Sequence, residues 1–147
     1  MQLHPQMIKN PLVPSCCCYA SIYRLNMIME PLILLLIKHS IIDLGLQPLS
    51  YPQGKGKANY FGYMGHLGHY VPHGVGTIVV LLFFVDPYTA LLGGLIDWFL
   101  HWNIDFTKTT IRNKKGWTNK DRQFWLLNAL DQILHYLTYF LIILWLV

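Results

Sequence analysis

Histidines and aspartates recur at intervals of four inside the most apolar stretches of this chain: His39 and Asp43, His69 and His73, Asp97 with His101 and Asp105, Asp131 and His135. A spacing of four stacks two side chains on one helix face, about 6 Å apart along the axis. Ionisable groups inside apolar helices are costly, so they face a partner, a water-filled cavity or a bundle interior. Four such sets in four segments restrict the chain to an all-α architecture with a polar centre. The composition places the apolar side of those helices outward. Hydrophobic residues make up 54% of the chain and charged residues only 12%, against about 25% charged in an ordinary soluble domain. Mean hydropathy is +0.36. The expectation is a polytopic membrane protein, a four-helix transmembrane bundle.

The apolar segments run over residues 31–47, 66–85, 88–106 and 124–147. A bilayer core needs about 20 helical residues. The fourth segment meets this; the first and third are short and span only with their polar faces turned into the bundle. Residues 1–28 carry Pro5, Pro11 and Pro14 and lack helical periodicity. They are expected as a disordered tail or an over-extended gene start, with the four-span domain occupying residues 29–147. A basic n-region, an apolar h-region and a small-residue cleavage site are not found there, which argues against a cleaved signal peptide.

The loops set the orientation. Lys55 and Lys57 follow the first segment, and Lys108, Arg112, Lys114, Lys115, Lys120 and Arg122 follow the third. The second and third segments meet at Asp86-Pro87, without a basic residue. In a four-span protein both basic loops, 48–65 and 107–123, fall on one side. The positive-inside rule makes that side cytoplasmic. Trp98, Trp102, Trp117, Trp125 and Trp145 lie mostly near segment ends, as an interfacial belt requires. The basic residues are few and next to membrane segments, so a nucleic-acid partner is not expected; membrane lipid is. Cys16, Cys17 and Cys18 are consecutive and have no partners elsewhere, which fits neither a zinc knuckle nor a redox pair.

Given that topology, all four polar sets fall in the cytoplasmic half of the bilayer and meet in one layer if the helices bundle. Imidazole and carboxylate together suit zinc, iron or manganese. Facing pairs from several helices are how bundles build metal sites. The candidate metal ligands are His39, Asp43, His69, His73, Asp97, His101, Asp131 and His135. Asp43, Asp105 and Gln47 also qualify as hydrogen-bonding partners that orient the rings. Asp105 is a candidate general base, and Lys108, one turn on, neutralises it or binds a phosphate. Lys38 reads as a snorkelling or packing residue.

The ordered motifs His39-x-x-x-Asp43-x-x-x-Gln47, His69-x-x-x-His73, His101-x-x-Ile104-Asp105-x-x-Lys108 and Asp131-Gln132-x-x-His135 are similar to those of a family of small, uncharacterised membrane proteins of bacteria and their phages, a domain of unknown function. The resemblance covers residues 31–147. It implies an integral protein of a bacterial inner membrane and supplies no reaction; the metal site rests on the residues themselves. Gly45 stands where the family commonly has an aromatic residue.

Three functions compete. A metal-dependent membrane hydrolase acting on a lipid or phosphoester is preferred, an oxidising di-iron centre being its variant. A transporter or proton conduit needs polar groups across the outer half, where residues 77–85 and 137–147 are largely apolar. A non-catalytic membrane factor would keep the polar layer as a structural element, acting on a protein partner that the sequence does not name or as a homo-oligomer. No Gly-rich phosphate loop, nucleophilic serine motif or catalytic cysteine arrangement occurs.

Overall fold

A computed structural model describes residues 16–46 and 66–146. Gln47 and the basic loop expected at 48–65 lie outside the described residues, as does the first half of the expected tail. Among the described residues the protein is all-helical. Helix α1 spans Cys16–Ser40 and runs into a π-helical turn, Ile41–Leu46. A second π-helical turn, His66–Tyr70, leads into α2, Val71–Leu81. Helix α3 spans Pro87–Lys115 and α4 spans Arg122–Leu146. Each helix packs on its two neighbours: α1 on α2 and α4, α2 on α3, and α3 on α4.

Local chemistry explains the ends. Pro87 opens α3 at a position where no backbone N–H is needed. Asp86 caps it, its Oδ1 accepting from the Tyr88 N–H at 3.0 Å and the Thr89 N–H at 3.2 Å, and its Oδ2 from the Thr89 hydroxyl at 2.6 Å. Gly116 ends α3 in the left-handed region, φ 68°, which a side chain would strain. Between Phe106 and Gly116 nothing breaks a helix. The basic stretch expected as a loop over residues 107–123 is therefore mostly helical, and the connection shrinks to residues 116–121. Residues 16–28, expected as tail, likewise form the first half of α1, because neither Gly nor Pro interrupts the chain between Cys16 and Glu30. Pro31, expected at the start of the first segment, lies inside that helix.

The distribution of side chains is inverted relative to a water-soluble bundle. Among the described residues, twelve polar or charged side chains are buried against eight hydrophobic ones. The outward faces carry large apolar groups, such as Ile33, Ile37, Val75, Val79, Leu91, Leu95, Leu137 and Leu141. Among the described residues one helix, α4, is long and apolar enough to cross a membrane. The interior divides along its length. At one end Leu35, Leu81, Ala90, Tyr139, Ile142 and Ile143 form an apolar cluster. At the other lie the histidines and aspartates. The up-down order of the helices explains the division. The C-terminal halves of α1 and α3 and the N-terminal halves of α2 and α4 all point to the same end.

Helices α2 and α3 approach through Gly74 and Gly94. A Cβ on Gly94 would lie 2.6 Å from the Gly74 carbonyl oxygen and 2.3 Å from Ile78 Cγ1. Gly94→Val should therefore destabilise the bundle by about 1–3 kcal/mol through overpacking. Gly45→Ala, with nothing within 4 Å of the added carbon, should be silent; thermal unfolding of the purified protein distinguishes the two. The α3 cap gives a pH prediction. The Thr89 hydroxyl and backbone N–H groups hold the Asp86 carboxyl below the usual carboxylate range. A lowered folded value means that the cap's stabilisation is full above the unfolded pKa, near 3.9, and is lost as pH falls through the folded value. Asp86→Ala should lower Tm at pH 7, and the difference from wild type should shrink by pH 3.

Candidate metal centre

Successive turns of α3 set the layers of the site. Asp97, His101 and Asp105 follow one another at four-residue steps, with Lys108 one turn beyond, and the first three are buried. Each meets partners from the other helices at the same height.

The lowest layer is an ion pair. Lys38 Nζ lies 2.8 Å from Asp97 Oδ2, with side-chain exposures of 8% and 1%. The ammonium also donates to the Tyr139 hydroxyl at 3.2 Å and the His73 carbonyl at 3.3 Å. Thr77 donates its hydroxyl to Asp97 at 2.6 Å. Every ammonium proton thus has an acceptor. Such pairing is what makes a buried charge tolerable. Asp97 is engaged here and belongs to none of the groups able to hold a metal ion. Asp97 is expected among the ligands, and Lys38 as a snorkelling or packing residue; Lys38 is buried against Asp97 rather than reaching outward.

The second layer is imidazole. The His101 ring stacks between His73, with centroids 3.7 Å apart, and His135, at 4.0 Å. His39 lies 5.0–5.4 Å from those three rings. Tyr139 links this layer to the one below, its hydroxyl 2.9 Å from His39 Nδ1. Gln132 Oε1 sits 3.4 Å from His39 Nε2.

Carboxylates cover the imidazoles. The π-helical turn after α1 brings Asp43 to 3.2 Å from His73 Nε2, 3.3 Å from His39 Nε2 and 3.4 Å from His69 Nε2. The π-helical turn before α2 brings His69 in, 3.4 Å from Asp105. Turns of this kind cluster at functional sites because they shift side chains off the regular helical register. Asp131 and Asp105 lie 3.6 and 3.9 Å from His135 Nε2. Lys108 closes the top, donating to Asp131 at 2.7 Å and to Asp105 at 3.0 Å.

Three overlapping groups result: His39, Asp43, His73 and His101; His69, His101 and Asp105; and Asp105, Asp131 and His135. Within each, one donor atom per residue lies within 4.8 Å of the others. Two donors on opposite sides of one ion at bonds near 2.1 Å are about 4.2 Å apart, so small side-chain rotations would close each set. His101 belongs to two groups and so does Asp105, which is how ligands shared between neighbouring ions are placed. Three carboxylates against one lysine leave two formal negative charges, matching a divalent cation. His101 is the most telling residue. It is fully buried, and neither ring nitrogen has a hydrogen-bond partner among the described residues. A buried imidazole is costly in that state, and a ligand bond removes the cost.

The family described as protein of unknown function (DUF3307) matches residues 31–147. The chain belongs to this family. The matched region holds every residue of the three groups and leaves the first half of α1 outside. Neither a curated protein nor a solved structure matches the chain.

The four-residue spacing also reaches Thr77 and Tyr139, which are not among the expected site residues. Thr77 stands four residues after His73 and Tyr139 four after His135, so each continues its ladder by one turn. The ion pair should behave as a unit. Lys38→Met alone should destabilise the protein by about 3–5 kcal/mol, because it strands a buried carboxylate. The double variant Lys38→Met/Asp97→Leu should recover most of that loss. Unfolding of the three proteins in parallel checks this, and a double variant no better than the single one would refute it.

Proposed function

We propose that the protein is a polytopic membrane protein whose helices enclose a divalent metal centre, and that it acts as a metal-dependent hydrolase on a lipid or phosphoester. The observation that carries the reading is the buried His101, stacked between two imidazoles with both ring nitrogens unsatisfied, inside a cluster of excess carboxylate. Four membrane-embedded helices are supported by the inverted bundle, with polar groups within and large apolar groups on the outer faces. In lipid such an exterior is solvated, while in water it would be an aggregation surface.

A divalent ion there would supply Lewis acidity toward a phosphoryl or carbonyl oxygen. The chain's own residues do the rest. Asp43, His39, His73 and His101 would hold one ion; Asp105, Asp131 and His135 would hold a second. On this reading Asp105 serves as a ligand of the second ion rather than as the general base. Lys108 keeps Asp105 and Asp131 close together and offers an ammonium to a phosphate at that end. The Lys38–Asp97–Tyr139 layer orients His39 from below. Zinc, iron and manganese all suit these donors.

A conduit has less support. Beyond Asp97, the described interior is the apolar cluster of Leu35, Leu81, Ala90, Ile142 and Ile143, with no continuing line of polar groups.

Elemental mass spectrometry of the detergent-purified protein, with His101→Ala and Asp131→Ala beside it, tests the centre. Stoichiometric zinc, iron or manganese in the wild type, lost in both variants that still fold, is the expected result. Hydrolysis of a panel of phospholipids and phosphoesters should stop on chelation, return with the metal, and fall by more than about 100-fold in His101→Ala. Absence of metal after reconstitution, with both variants merely unstable, would overturn the reading and leave a structural polar layer.

A further inference from the structure

Helices α3 and α4 pack closely at their ends of the apolar cluster but leave a groove along their outward side. Two cavities, of about 220 and about 410 Å³, lie in it and share Leu100. The first is walled by Ile104, Ile111, Leu127 and Leu130, and it reaches Lys108 and Asp131. The second continues past Ile96 and Leu141 to Trp145. Between Leu127 and Trp145 the groove follows α4 for about 27 Å at 1.5 Å per residue. The hydrocarbon of one leaflet is about 15 Å deep, half of an about 30 Å core. The groove is therefore long enough for a whole acyl chain.

Its two ends differ in chemistry. The apolar end offers only Leu141, Leu144, Trp145 and their neighbours. At the other end stand Lys108 and, one turn further along α3, Arg112. The Arg112 guanidinium bonds the neutral side-chain amide of Asn113, at 3.2 and 3.3 Å. Lys114 and Lys115 lie in the last turn of α3, Lys120 in the connection that follows, and Arg122 at the start of α4. The acid among them, Asp121, is engaged by the Thr118 N–H at 2.7 Å and the Thr118 hydroxyl at 3.0 Å. One side chain joins the groove to the candidate metal centre: Asp131 lines the cavity and belongs to the Asp105, Asp131 and His135 group. The groove between α2 and α3, about 250 Å³ and walled by Val71, Val75, Ile78 and Leu95, contains no member of any metal group and no cation.

The geometry points to the α3–α4 groove as the lateral entry site for an anionic glycerophospholipid. Its acyl chain lies along Leu100, Leu130 and Leu141, and its phosphate lies at the Arg112 end beside Lys108 and Asp131. This rests on the hydrolase reading and names its substrate: a membrane lipid that enters sideways from the bilayer, with the head group arriving at the metal-bearing carboxylates.

The test uses the full chain in phosphatidylglycerol vesicles containing a trace of phosphatidylglycerol with a diazirine at the end of one acyl chain. Illumination and peptide mapping should place the label mainly on the stretch of α4 around Leu141–Trp145. Leu130→Trp, which fills the groove at an exposed position, should lower that labelling about tenfold, as for a site weakened by steric exclusion. Leu137→Trp, an equally bulky change on an exposed part of the same helix, should leave it unchanged. Both variants should retain the wild-type metal content. In phosphatidylcholine vesicles with the matching probe, the selective labelling should weaken. Label spread evenly over α4, Val75, Val79 and Leu91, and indifferent to Leu130→Trp, would overturn the proposal even if the metal is stoichiometric. Selective labelling in a protein that holds no metal would uphold the lipid site while removing the hydrolase reading.

Discussion

The structure depends on the cost of placing charge in an apolar bundle. Two lysines, four aspartates and five histidines occupy the interior of a four-helix assembly whose outer faces are hydrocarbon-like. Each buried ionised group is tolerable only with a partner at bonding distance. The four-residue ladders deliver those partners, because each helix presents one polar group per turn at the height where its neighbours present theirs. Helix packing and polar pairing are thus one requirement. A helix rotated about its axis would bury leucine and isoleucine well, yet it would strand several charges at once. The polar layers therefore determine which face of each helix turns inward.

Within that frame the layers have separate duties. The Lys38–Asp97 pair, closed by Thr77, Tyr139 and the His73 carbonyl, is saturated and holds nothing open to a ligand. The imidazole layer above it is the opposite. His101 is stacked and packed, but its nitrogens have no acceptor or donor among the described residues. A saturated platform lies beneath His101, giving a rigid floor to an imidazole whose two nitrogens lack hydrogen-bond partners among the described residues. Preorganisation of this kind lowers the reorganisation required when a ligand binds.

Much of this was legible in the sequence. The spacing of His101 from Asp105 and of Asp131 from His135 specifies a helix face, and the alternation of polar sets between segment starts and ends specifies a common height. What escaped was of four kinds. Asp97 shares the spacing of the candidate ligands but is drawn off by Lys38, and pairing between distant helices leaves no trace in local periodicity. Tyr139 and Thr77 obey the spacing yet belong to residue types that are usually core or surface. The extension of α3 through Arg112–Lys115 was hidden because a basic run next to an apolar segment resembles a loop, whereas Gly116 is what stops the helix. The two π-helical turns are likewise not encoded by any pattern of apolar residues.

The connections between helices are unequal. Leu82–Asp86 and Gly116–Asp121 are short and closed by caps and turns of their own. The third connection, between α1 and α2, begins after Asp43 and ends before His69, and those two side chains stand 3.4 Å apart. Here side-chain chemistry does what a tight turn does elsewhere, joining the chain on either side of an intervening segment. The polar centre is therefore also a mechanical clasp, holding the π-helical turn that follows α1 against the one that precedes α2.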